Sequence, residues 1–216
     1  MQSITKTCAD TLRVFTENHN IKLKASHAHE LVAAFFGYKS KAAMQADTFC
    51  SVEGMKKAHI LVLMPSSFID QRRQCLEDLP PELPDTYTLG EKLFTDLIAG
   101  GEFSGRSFAS FSHLAEVLTN EYLQKHGDLM LPANFGLHEK ARYIFSKPLY
   151  EFNPKIEATD NGLKLMVANR YYGSADVNFQ PIDVTITIRL KRVAGHVGYI
   201  LSDISGDVTE AISTAA

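Results

Sequence analysis

Residues 22–47 read KLKASHAHELVAAFFGYKSKAAMQAD, and local signals agree here better than anywhere else in the chain. Ser26 is a favourable N-cap, because its hydroxyl can accept from an orphan amide of the first helical turn. Leu31, Val32, Phe35 and Phe36 then recur at helical spacing, with Ala28 and Ala33 as small residues beside them. Gly37 follows the last apolar pair, where a left-handed residue ends a helix most easily. Ser40 can cap again, and Lys41 to Ala46 reads as a short helix with small faces at Ala42, Ala43 and Ala46.

The spacing predicts a helix-turn-helix. Ala33 stands where two helices approach closely, Gly37 lies in the turn, and Ala43 takes the inward position of the second helix. That helix then presents Lys39, Ser40, Lys41 and Gln45 outward. Lysine suits phosphate contacts and glutamine can read an adenine edge. The bland alternative is a helical hairpin used for packing or docking, since glycine in such a turn is common.

The pattern L-x-x-S-H-A-x-E-L-V-A-x-x-x-G-Y-x-S-x-x-A, present from Leu23 to Ala43, resembles a small helical module near the N-termini of uncharacterised bacterial proteins. Many of those proteins are carried on plasmids and integrative conjugative elements, and a similar module occurs beside glyoxalase-like domains. Members often carry an aromatic after the serine, where this chain has Lys41. The resemblance covers roughly the first quarter of the chain and brings no catalytic residues. It implies a mobile-element or accessory context.

A length of 216 residues permits one large domain or two small ones. An apolar fraction of 45% with 22% charged residues is ordinary for a folded soluble protein. Cys8, Cys50 and Cys75 share no close spacing, so reduced thiols are expected and neither a disulfide framework nor a zinc ribbon. No apolar run approaches a membrane helix, and the start MQSITKTCADTLRV lacks the form of a signal peptide. The expectation is a cytoplasmic protein. Charge is uneven: residues 1–57 carry +3, residues 58–136 carry −6, and residues 137–216 balance. A basic head beside an anionic middle confines any DNA contact to the head, because phosphate attraction is local at physiological salt.

Along the chain, a first helix is expected over residues 3–19, and with the two above it would form a headpiece over 1–47. A mainly helical middle follows over 57–146. Within it KAHILVLM, 57–64, suits a buried strand. Ser67 with Asp70 opens a helix through Leu79, stopped by Pro80, Pro81 and Pro84. Thr88 with Glu91 opens another to Ala99, and a longer helix spans about Ser107 to His126, with Gly127 after it. Leu137 to Phe145 reads as a further helical turn or two. After Pro148 the period becomes two. Tyr150–Thr159 and Leu163–Tyr171 flank Asp160-Asn161-Gly162, a hairpin signal in which Asn-Gly would take the positive φ of a type I′ turn. Ile182–Val193 alternates, with Val184, Ile186, Ile188 and Leu190 facing one way. Val197–Val208 completes an antiparallel sheet of about four strands over 149–208, and the fold class is α+β.

Few constellations suggest chemistry. His27 and His29 are two apart on a helix, so their rings diverge and no third ligand completes a metal site. The glycine-rich run Gly100–Arg106 lacks the ending of a phosphate loop. Cys50 and His59 are near in sequence, which does not hold a nucleophile against its base. Arg189 and Lys191 share an outward strand face with Lys164 and Arg170, near Tyr171 and Tyr172. Basic side chains interleaved with aromatics can hold a nucleic-acid strand. The expectation is therefore a non-enzymatic DNA-binding or DNA-associated accessory protein of a bacterial mobile element. It would use Lys39, Ser40, Lys41, Gln45, Arg189 and Lys191, with no cofactor or metal. A protein-interaction subunit of a larger assembly is the second expectation and an enzyme of unrecognised type the third; the oligomeric state is open.

Overall fold

Burial of Leu23 and of seven consecutive-turn residues after it sets the centre of the fold. The computed structural model describes residues 3–130, 154–171 and 182–210. The chain divides into two compact units, one of residues 1–110 with 191–200, the other of 111–190 with 201–216.

In the first unit, α1 (Ile4–Glu17) is capped by Ser3, whose hydroxyl accepts from the Lys6 amide. α2 (Ala25–Phe35) buries His27, Ala28, Leu31, Val32, Ala33, Ala34 and Phe35, more than half its circumference, as a central helix must. It packs against α1, against α3 (Lys41–Ala46) and against α4 (Ser66–Gln74), while α1 also packs on α5 (Thr86–Ala99). Phe35 and Phe36 meet Phe94 of α5 edge-on, with ring centroids 6.3 and 6.1 Å apart. These side chains, with Leu12, Leu89, Leu93, Ala194 and Val197, fill one apolar core. The expected segments 1–47 and 57–146 thus both supply helices to this core.

Three boundaries differ from expectation for local reasons. α2 starts at Ala25, because the Lys24 carbonyl already accepts from the Ala28 amide; Ser26 is exposed and does not cap. α4 starts at Ser66 after Pro65 and ends at Gln74, and Asp70 accepts from the Thr86 hydroxyl rather than closing a capping box. α5 is capped by Asp85, three residues ahead of the expected cap Thr88, and its carboxylate accepts from the Thr88 amide at 2.8 Å.

The described sheet has six strands in the order β2-β1-β6-β5-β4-β3. β1 (Ile60–Val62) is the buried strand expected in 57–64. The helix expected from Ser107 begins only at Phe111, and β2 (Arg106–Phe108) before it pairs in parallel with β1. β1 also pairs antiparallel with β6 (Gly198–Glu210), Ile60 opposite Tyr199. β5 (Ile182–Ala194) and β6 run through both units. The remaining strands, β3 (Lys155–Thr159) and β4 (Gly162–Tyr171), form the expected hairpin in the second unit. There Leu165, Val167, Val184, Ile186, Ile188 and Leu190 are buried, as the alternation requires, although Thr187 on the other face is buried too. α6 (Phe111–Met130) runs through Gly127 instead of stopping before it, and Leu114, Ala115, Leu118 and Leu123 are buried.

The β3–β4 turn is not the one expected. Thr159 pairs with Gly162, which leaves Asp160-Asn161 as the loop, one residue upstream of Asn161-Gly162. Positive φ occurs among the described residues at Asn20, Asp78, Gly37, Gly101 and Gly195, so no type I′ geometry is present at 160–162. The helical turn expected at 137–145 lies outside the described residues.

Candidate functional site

The edge formed by α2, its following turn and α3 carries four of the six expected site residues. α2 closes in a Schellman motif: the Gly37 amide donates to the Ala34 carbonyl and the Tyr38 amide to that of Ala33. Gly37 adopts φ +85°, so the glycine is required there. The Ser40 hydroxyl then accepts from the Ala43 amide and caps α3 at 3.1 Å. One Glu30 carboxylate oxygen accepts from both the Lys41 amide at 3.0 Å and Arg72 at 2.7 Å, tying α2, α3 and α4 together. The start of α3 is therefore already satisfied by protein groups. Lys39 and Gln45 are exposed and Lys41 is half-buried. Met44, not Ala43, is the inward residue; Ala43 is exposed, because the Ser40 cap and the Glu30 contact set the phase of this six-residue helix.

Beside α3 lies a groove of about 730 Å³ whose walls include Lys6, Asp10 and Arg13 of α1, His29 of α2, and Lys41 and Gln45 of α3. Its three carboxylates have partners. Asp10 lies 3.8 Å from Arg13, Asp47 bonds Arg192 and Tyr38, and Glu53 accepts from the Ile4 amide. His29 Nδ1 is buried without a hydrogen-bond partner among the described residues. Burial, then Lys41, hold the His29 imidazole below its ordinary pKa.

Arg189 and Lys191 are exposed on β5. Arg189 lies 3.6 Å from Asp203, and Lys164 lies 3.5 Å from Glu157, so two of the strand cations are locally balanced. Of their expected neighbours, the side chains of Arg170 and Tyr171, and all of Tyr172, lie outside what is described. Among the described residues His27 Nδ1 is likewise buried without a partner, and no group of three metal-ligating side chains occurs. Cys8 is buried, which pushes its thiol up to about 12. Cys50 donates its thiol to the Arg192 carbonyl at 3.4 Å. Among the described residues no helix is long and apolar enough to cross a membrane.

Sequence reasoning missed a polar cluster behind the same turn. The Tyr38 hydroxyl donates to Asp47 at 2.9 Å, and Asp47 also accepts from the Cys50 amide at 2.9 Å. Arg192 lies 3.4 Å from Asp47 and 3.1 Å from the ring nitrogens of His196. The Gly195 and His196 amides donate to the Cys50 and Phe36 carbonyls, so the β5–β6 tip is fastened to the Gly37-Tyr38 turn. Burial raises the Tyr38 pKa and lowers that of His196, Arg192 adding to the latter. Burial alone would raise Asp47, yet the Cys50 amide, Tyr38 and Arg192 hold it below the usual carboxylate value. Tyr38 and His196 are over 150 residues apart, and no local pattern links them.

No family model, curated protein or solved structure gives a significant match to this chain.

Proposed function

We propose that this chain is a non-enzymatic, DNA-associated accessory protein that contacts the phosphate backbone along the α2–α3 edge, Lys39 and Lys41 supplying charge and Gln45 a base-edge contact. The supporting observation is the placement of Lys39 and Gln45: Lys39 is exposed in the turn before α3 and Gln45 on α3 itself, a short helix fixed at its start by Ser40 and Glu30. The mobile-element context follows from the resemblance of residues 23–43 alone. Arg189, paired with Asp203, and Lys191 are secondary contacts in this reading.

The test is duplex binding at several salt concentrations by wild type and by Lys39→Gln/Lys41→Gln. Glutamine removes charge without setting a second carboxylate beside Glu30. Wild-type affinity should fall steeply with salt, and each lost phosphate contact should flatten the log–log slope by about 0.9. The double variant should bind more weakly at an unchanged melting temperature. Equal binding by both proteins, or none by either, defeats the reading.

A second reading, a protein-interaction subunit, is favoured by Phe49. This aromatic is 74% exposed three residues after α3, and a partner would bury its ring. In that case a stoichiometric protein partner survives nuclease, and Phe49→Ser releases it.

A further inference from the structure

We infer that the groove between α1 and α3 is an oxyanion site that seats a phosphate group, with Lys6 and Lys41 as counter-charge and His29 and Gln45 as hydrogen-bonding groups. It extends the reading of the α3 edge above, on which it rests for the phosphate's source, into a part of the surface that the edge alone does not use.

Three observations converge. First, the groove lies within one compact unit, and the residues that would meet the ligand, Lys6, His29, Lys41 and Gln45, stand on α1, α2 and α3, which pack together through α2. Second, its carboxylates already have partners: Asp10 with Arg13, Asp47 with Arg192 and Tyr38, Glu53 with the Ile4 amide. The side chains of Lys6, Lys41 and Gln45 carry no hydrogen bond or ion pair among the described residues, so the groove's uncommitted charge is positive. Third, His29 is one of the groove's walls, and its ring makes no hydrogen bond among the described residues.

The chemistry then selects the ligand class. A neutral imidazole donates from one nitrogen, a glutamine amide donates two protons and the ammonium groups donate several, so a multi-oxygen acceptor of small radius satisfies them together. A bound oxyanion also reverses the electrostatics at His29. The ring is held towards its neutral form by burial and by Lys41, and a neighbouring negative charge favours the imidazolium.

The experiment is an NMR titration of the full chain with inorganic phosphate at constant ionic strength, following the imidazole nitrogens of all histidines, with chloride as the control anion. The inference expects His29 to shift saturably with phosphate, to titrate at higher pH when phosphate is bound, and to respond little to chloride. Lys6→Gln and Gln45→Ala, both at exposed positions, should weaken phosphate binding at least several-fold without changing the melting temperature. No shift at His29, or equal shifts in wild type and both variants, overturns the inference.

A parallel titration uses a short duplex. Duplex binding that survives Lys6→Gln unweakened but is lost in Lys39→Gln/Lys41→Gln, together with no phosphate shift at His29, overturns the groove as a phosphate seat and leaves the α3 reading standing. Saturable phosphate binding at His29 without any duplex binding supports the groove, assigns it to a small free phosphate compound and defeats the DNA reading.

Discussion

Protonating His196 would remove the acceptor that receives the Arg192 guanidinium and would place two cations side by side at 3.1 Å. Burial and Arg192 lower its pKa below the ordinary 6.5, with Asp47 opposing. The folded protein therefore binds fewer protons than the unfolded chain just below pH 6.5, and stability is lost as pH falls from 6.5 through the folded value. Thermal melts between pH 7 and 5 should show a decline that His196→Gln reduces, and Arg192→Gln should move the His196 NMR titration to higher pH. A His196 resonance that titrates at or above 6.5 in wild type would contradict this. Gly37 belongs to the same contact. It has φ +85°, and a Cβ built there meets the His196 Cβ at 2.5 Å. Gly37→Ala should then cost roughly 2–3 kcal/mol, left-handed strain plus a displaced hairpin tip, measured by denaturant midpoint at constant m. In a His196→Gly background the clash with His196 vanishes, leaving the strain and a tight approach to Met64 Sδ at 3.1 Å, so the cost should shrink. The need for glycine at 37 was legible in sequence, because it follows a helical apolar pair. Its second duty, admitting His196, was not, because that contact depends on where the chain returns after 150 residues.

Among the elements, α3 shows how little of a six-residue helix is decided by its own sequence. An isolated helix of that length is unstable in water, so α3 persists through its cap and its tether. Ser40 was legible as a cap; Glu30, one helix earlier, was not legible as the group holding the Lys41 amide and Arg72. Glu30→Ala should cost about 1–3 kcal/mol, leaving the partly buried Arg72 without its carboxylate, and should speed hydrogen exchange at Met44 before the rest of the unit. Exchange at Met44 no faster than in α2 would deny the tether its role. The β3–β4 hairpin carries the opposite lesson. Asn-Gly correctly marked a turn, but strand register put Gly162 inside β4 opposite Thr159 with no positive φ. Gly162→Val therefore places a β-branched residue in a strand, which that backbone accepts, and the change in stability should stay within about 1 kcal/mol. A loss of several kcal/mol would show that the turn is strained after all. The alternation of Ile182–Ala194 was legible because one face is apolar from Ile182 to Leu190. β2 was not, because three residues become a strand only by pairing with β1, and Gly105 just before it must let the chain pass the His59 carbonyl.

For the whole molecule, the apolar pattern of α2 already contains the question of what folds alone. A helix in a three-helix headpiece has two neighbours and keeps a solvated stripe, but α2 buries seven of its eleven residues. It does so against α1, α3 and α4, with Phe35 and Phe36 reaching Phe94 of α5. A fragment of residues 1–47 would expose Phe35, Phe36 and the α1 face that packs on α5. It should show little helix by circular dichroism and no dispersed methyl signals. The Ala33→Glu variant of the full chain should accordingly lower the melting of the whole first unit, not of a headpiece, because Ala33 is fully buried in the shared core. The stronger test is residues 1–110, which hold all five helices of that unit but lack 191–200. Without that segment β1 loses its β6 partner, Ala194 and Val197 leave the core, and Asp47 and Tyr38 lose Arg192 and His196. Few of these losses involve a helix, so the fragment should keep helical circular dichroism while its thermal transition becomes broad and its core amides exchange quickly. Sharp, cooperative melting of 1–110 at the full-length temperature would show that the returning hairpin tip is a passenger; loss of cooperativity makes it the closing element of the unit.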